Sequence, residues 1–100
     1  MKGHQKQYLK GLAHTMKPTV FIGQKGLQPS VIDAIEASLD QHELIKVKFI
    51  DFKEKNLKKE MTRAIVKETR AQQVGTIGHI VIFYRQQNDP EKRKIHLPEK

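Results

Sequence analysis

The stretch from Thr19 to Ile50 leaves this chain few folds to choose from. Thr19-Val20-Phe21-Ile22 is β-branched and aromatic, and reads as a short, buried strand. Gly23-Gln24-Lys25-Gly26 breaks it. Pro29 then fits the first turn of a helix, where the N–H it lacks would have no partner anyway. Val31, Ile35 and Leu39 recur at i+4 with Ile32 beside them, an apolar face that continues to about Gln41. Asp33, Glu36 and Asp40 fall away from that face, and Asp33 suits the positive end of the helix dipole. Leu44 to Ile50 alternates. Ile45, Val47 and Phe49 point one way, and Lys46 and Lys48 point the other with Leu44 and Ile50. Strand, helix and strand in this order predict a parallel pair joined by a right-handed crossover.

The flanking segments complete the sheet. A first helix is expected over Gln5 to Ala13, with Tyr8 and Leu12 on one face and Leu9 and Ala13 beside them. Lys2, Lys6, Lys10 and His14 make a separate stripe. Pro18 disfavours helix at Lys17 and starts an extended segment. A third helix is expected over Lys55 to Ala71, burying Leu57, Met61 and Ile65, with Ala64 allowing close approach. Val74–Ile77 and His79–Arg85 read as two strands around a tight turn at Gly78. The predicted fold is α-β-α-β-α-β-β in the α/β class. It is a two-layer, α+β-type mixed four-stranded sheet packed against helices. Residues 1–85 form the domain, and the polar residues 86–100, with Pro90 and Pro98, read as an extended or mobile tail.

One hundred residues allow one domain with a modest core. The chain has no cysteine, which removes disulfides, thiolate metal sites and thiol nucleophiles. None of its five histidines sits in a tight metal pattern, and no paired carboxylates or nucleophile–base arrangement can be read. No metal, no cofactor and no catalysis are expected. Apolar runs such as Ile80–Tyr84 are too short to span a membrane, and no secretory signal is apparent. A cytoplasmic monomer is the expected form.

Lys and Arg number 19 against 11 Asp and Glu, a formal charge of +8. The two halves carry +3 and +5, so the excess is not confined to a tail. Such a surface suits a polyanion. Gly23-Gln24-Lys25-Gly26 is the sharpest place for one. It joins a strand to a helix N-terminus, where backbone N–H groups and the helix dipole attract phosphate, and Lys25 adds a mobile cation. The loop matches neither the Walker nor the dinucleotide pattern. It resembles the GxxG clamp with which KH domains hold a nucleic-acid backbone. The same four residues also serve as an ordinary strand-to-helix turn.

Two basic stripes accompany the loop. Lys10, His14 and Lys17, with Lys6 further back, are expected near Lys25. Lys55, Lys59, Arg63 and Lys67 form a ridge on the third helix, with Arg70 beyond. The ridge reads equally as a solvated face, partly neutralised by Glu54–Lys58 and Glu60–Arg63. The six aromatics are Tyr8, Phe21, Phe49, Phe52, Phe83 and Tyr84, most of them at expected core positions, with no RNA-recognition stacking motif.

Several segments in order resemble one family. They are Tyr8-Leu9-Lys10-Gly11-Leu12-Ala13-His14, Lys17-Pro18, Ile22-Gly23-Gln24-Lys25-Gly26-Leu27, His42-Glu43-Leu44-Ile45-Lys46-Val47-Lys48 and Lys94-Ile95-His96-Leu97-Pro98. The chain is similar to YhbY-type proteins, single CRM (chloroplast RNA splicing and ribosome maturation) domains. The resemblance implies a fold like the C-terminal domain of translation initiation factor three. It also implies binding to ribosomal RNA in precursors of the large subunit, with ribosomal proteins as neighbours, and a part in ribosome assembly. A protein-interaction module is the alternative. The family often has a Thr after Gly-Leu to cap the second helix. Gln28 stands there, a poorer cap.

Overall fold

The computed structural model describes residues 1–50 and 55–99. Phe52, the Glu54–Lys58 pair and the side chain of Lys55 lie outside the described residues. The elements are α1 (Gly3–Ala13), β1 (Val20–Ile22), α2 (Pro29–His42), β2 (Leu44–Phe49), α3 (Lys55–Thr69), β3 (Gln72–Ile77) and β4 (Ile80–Tyr84). A 3-10 turn follows at Pro90–Lys92. The strands form one mixed sheet in the order β1-β2-β4-β3. β1 and β2 are parallel across the α2 crossover, and the other pairs are antiparallel. This is the predicted architecture.

The alternation along β2 and β4 divides the core between two sheet faces. On one face Ile45, Val47, Phe49, Val81 and Phe83 pack under α2 and α3 through Ile35, Leu39 and Ile65. On the other, Leu44, Ile82, Tyr84 and Val74 pack under α1 through Leu9 and Ala13. The expected apolar face of α1 is thus displaced by one residue. Leu9 and Ala13 are buried, whereas Tyr8 and Leu12 are exposed. Likewise, of the three apolar residues expected to face inward from α3, Ile65 is buried, Met61 is half-buried and Leu57 is exposed.

Lys46 corrects the expectation of a partly basic second face. It is buried, and its Nζ donates to the carbonyls of Met16 (2.9 Å) and His14 (3.5 Å). The ammonium thereby satisfies carbonyls at and just beyond the C-terminus of α1, which have no helical partner. Lys48, one pleat further on, is exposed.

The segment after Tyr84 lies against the domain. The Glu43 carboxylate, 1% exposed, accepts N–H bonds from Gln87 (2.9 Å), Lys94 (2.6 Å) and Ile95 (3.0 Å). Ile95 and Leu97 pack on the α1-side core, and the Gln5 side chain donates to the Pro98 carbonyl. Arg85 joins α2 to the end of α3, bonding to Glu36 (2.8 Å), Asp40 (2.7 Å) and the Thr69 carbonyl (2.8 Å).

Candidate nucleic-acid interface

The glycine loop sits where β1 ends and α2 begins. Gly26 donates to the Gly23 carbonyl at 3.0 Å, closing a tight turn. The two glycines have different jobs. Gly26 holds φ +73°, a conformation that side chains disfavour, and a Cβ there would meet Met61 Cε of α3 at 3.1 Å. Gly23 has open space around its missing Cβ. It therefore keeps the outer surface of the loop bare rather than permitting a backbone shape.

Gln28 caps α2 without a side-chain bond, and its carbonyl takes the Val31 and Ile32 amides. Among the described residues, the amides of Gln24 and Lys25 have no intramolecular acceptor. Both residues are exposed. The turn therefore presents free donors and an ammonium at the positive end of a 14-residue helix.

The basic stripes separate in space. Lys17 precedes β1 while the loop follows it, and the strand between spans about 10 Å. Lys10 lies over β3, with its Cε 2.6 Å from where a Cβ on Gly75 would stand. β3 is the opposite edge of the sheet, three strand spacings or about 14 Å from β1. His14 follows α1 on that same face and offers its carbonyl to Lys46. Lys6 is exposed on α1. Lys10, His14 and Lys17 thus do not surround Lys25.

The α3 cations lie on the other side of their helix from the loop. Met61 reaches Gly26, whereas Lys59 and Arg63, each two residues from Met61, fall about 160° round the helix from it. With Lys58, His79 and Thr76 they line a groove between α3 and the β3–β4 turn. Lys58 Nζ lies 3.0 Å from His79 Nδ1. Lys67 is one helical turn beyond Arg63, towards the far end of α3. Lys25, Lys59, Arg63 and Lys67 make no ion pair among the described residues.

Sequence reasoning missed two contributors at this end of the sheet. Phe21, read as buried, is 53% exposed, because α1 does not reach over the β1 edge. His79, set aside for want of a metal pattern, lies at the hairpin turn beside the α3 cations. Only the strand pairing could have revealed either. Among the described residues there is no group of three His, Cys, Asp or Glu able to hold a metal, and no helix long and apolar enough to cross a membrane.

A mixed sheet flanked by helices, with a bare glycine turn that carries an unpaired lysine, defines a small basic α/β domain. Residues 1–85 match the CRS1 / YhbY (CRM) domain model, and the chain belongs to that family. It is 49% identical over 96 residues to an "RNA-binding protein" of Haemophilus influenzae, covering 96% of this chain and 93% of that one. It is 34% identical over 98 residues to "Probable RNA-binding protein YqeI" of Bacillus subtilis, covering 98% and 99%. The solution structure of the hypothetical protein SAV1595 from Staphylococcus aureus superposes with a TM-score of 0.79 at 33% identity, covering 98% of this chain and 99% of that one.

Proposed function

We propose that this chain is a non-enzymatic RNA-binding protein that associates with precursors of the large ribosomal subunit and assists their assembly. The observation that carries the reading is the loop. Its free Gln24 and Lys25 amides and bare Gly23 stand at the head of α2, with Lys25 exposed between the glycines. That arrangement fits phosphate oxygens of a polynucleotide backbone. Lys59 and Arg63 offer a second, separate contact in the groove beside the β3–β4 turn. Lys10, His14 and Lys17 serve an RNA strand that continues round the sheet, rather than the same phosphate. Contacts of this kind position RNA without reading its sequence. Family membership and the names of the relatives support RNA as the ligand, and the ribosomal precursor is the member of that class we favour.

The test uses Gly23→Asp combined with Lys25→Glu. Both positions are exposed and Gly23 has room for a side chain, so the variant should fold. Gly26 is unsuitable because its φ demands glycine. The variant should bind a large-subunit precursor transcript at least about tenfold more weakly, and wild-type affinity should fall steeply with salt as counterions are released. Equal affinity in the folded variant would falsify the loop's role. Crosslinking in cells should recover precursor RNA of the large subunit. Retention on a protein partner after complete RNase digestion would favour the protein-interaction module instead.

A further inference from the structure

The register of the sheet assembles a surface that no single segment of sequence suggests. Phe21 pairs with Lys48, Lys48 with Ile80, and Ile80 with Ile77. The four side chains therefore form one row across all four strands, on the face that α1 covers elsewhere. A register shift between Gln73 and Gly75 in β3 brings Ile77 onto this face. α1 stops short of the row. Phe21 is 53% exposed, Ile77 61% and Ile50 39%, with Lys48 exposed between them. Lys10, its stem laid across Gly75, borders the row on the α1 side. The glycine loop begins two residues after Phe21, at one end of the row.

We infer that this open half of the sheet is a platform for unpaired bases of single-stranded RNA. The inference deepens the proposed reading and rests on it, because the loop would hold the backbone whose bases lie here. The chemistry selects the occupant. The row is apolar, with one aromatic ring on which a base can stack, and among the described residues the charged side chains in and beside it are the cations Lys48 and Lys10. A base on Phe21 places its sugar-phosphate within reach of Lys48 and of the loop amides. A second base fits the aliphatic surface of Ile80 and Ile77. An A-form duplex hides its bases and has no use for an exposed ring, so the platform discriminates single strands from duplex. A duplex meets only the loop and the cations.

The chain has no tryptophan, so Phe21→Trp introduces a lone indole as reporter. The probes are a short unstructured RNA of mixed A and C, and the same strand in duplex with its complement. Phe21→Trp should retain single-strand affinity, and its emission should be quenched on saturation with the single strand but not with the duplex. Phe21→Ala should bind the single strand at least about fivefold more weakly, the lower end of what one base–aromatic stack contributes, and bind the duplex as wild type does. Phe21 is half exposed, so the thermal midpoint of both variants should stay near that of wild type. Unchanged single-strand affinity in Phe21→Ala, or unquenched emission at saturation, overturns the platform. If the loop variant loses both ligands while Phe21→Ala loses neither, the loop reading stands and the platform alone fails. If the loop variant also loses neither, both fall. A wild-type dimer that Phe21→Ala dissociates in sedimentation would instead assign the face to a second copy of the chain, and would likewise overturn it.

Discussion

Glu43→Gln should unfasten the C-terminal segment without altering the shape of the domain. The residue follows α2 at φ 64°, is 1% exposed, and places both carboxylate oxygens on backbone donors. Oε2 accepts from Gln87, and Oε1 accepts from Lys94 and Ile95. Glutamine is nearly isosteric and suffers the same backbone strain, so that contribution cancels. Its one oxygen can keep Lys94 and Ile95, as neutral bonds of roughly half the strength. Its NH₂ then faces the Gln87 N–H, and a buried donor without an acceptor costs about 1–3 kcal/mol. Losing the buried charge offsets part of this. A net loss of about 2 kcal/mol follows, which at about 4–8 °C per kcal/mol for a domain of this size lowers the melting temperature by roughly 10 °C. Urea and thermal unfolding followed by circular dichroism measure the loss. Hydrogen exchange locates it, because the Gln87, Lys94 and Ile95 amides should exchange faster while β2 and β4 amides far from residue 43 keep their order. A variant that melts like wild type, with those three amides equally protected, would refute the reasoning. It would mean that the burial of Ile95 and Leu97, with the Gln5–Pro98 bond, holds the segment without the carboxylate.

Three further outcomes follow from buried groups. The Tyr84 hydroxyl has no hydrogen-bond partner among the described residues, and burial first, then the Glu43 carboxylate, push its pKa above the ordinary value near 10, against a smaller opposing pull from Arg93. The folded chain therefore holds this proton more tightly than the unfolded one. Its contribution to stability is intact below about pH 10 and declines as pH rises through the folded value. Tyr84→Phe should leave neutral-pH stability unchanged or higher, and flatten the alkaline decline in a pH series of urea midpoints. Lys46→Met keeps the buried stem but strips the donor from the Met16 and His14 carbonyls, and should lower unfolding free energy by about 1–3 kcal/mol. Gly26→Ala should lose about 1–2 kcal/mol through its positive φ, while Gly23→Ala should lose far less, a contrast that one pair of denaturation curves resolves.

The sequence revealed those elements whose pattern admitted one arrangement, and it was silent where two patterns were equally good. Val31, Ile35 and Leu39 make one unbroken i+4 row, so the buried face of α2 was legible. In α1 the rows Tyr8–Leu12 and Leu9–Ala13 run side by side. Residue type favours the first, but the sheet covers the second. Phe21 illustrates a different limit. A three-residue strand with apolar side chains throughout looks buried on both faces, yet β1 is an edge strand and only Val20 and Ile22 meet a helix. The charge of Lys46 suggests a surface position, but the carbonyls that end α1 lie above it. Glu43 and the segment it holds are separated by 44 to 52 residues, and local spacing carries no trace of such a bond. The loop was legible as a motif. The different duties of its two glycines were not, because only a backbone angle tells them apart.

The distribution of carboxylates gives the charge a direction that a net count lacks. Glu36 and Asp40 lie in the second half of α2, with Glu36 about 10 Å along the helix from Pro29, and both are bound by Arg85. Two of the three acids of this helix are therefore occupied at the end away from the glycine loop, while Asp33, in the second turn, is exposed and makes no ion pair among the described residues. Lys25, Lys48, Lys59 and Arg63 have no carboxylate partner among the described residues. On the proposed function, a field arranged this way would draw RNA to the loop end before any specific contact forms. Arg85→Gln would release both carboxylates without touching the loop. It should weaken the pairing of α2 with the end of α3, and slow RNA association slightly at low salt through its lost charge, while dissociation stays as in wild type. A faster dissociation rate in a folded Arg85→Gln protein, measured by stopped flow, would show that RNA contacts the Arg85 end directly. RNA would then not be confined to the loop end of α2.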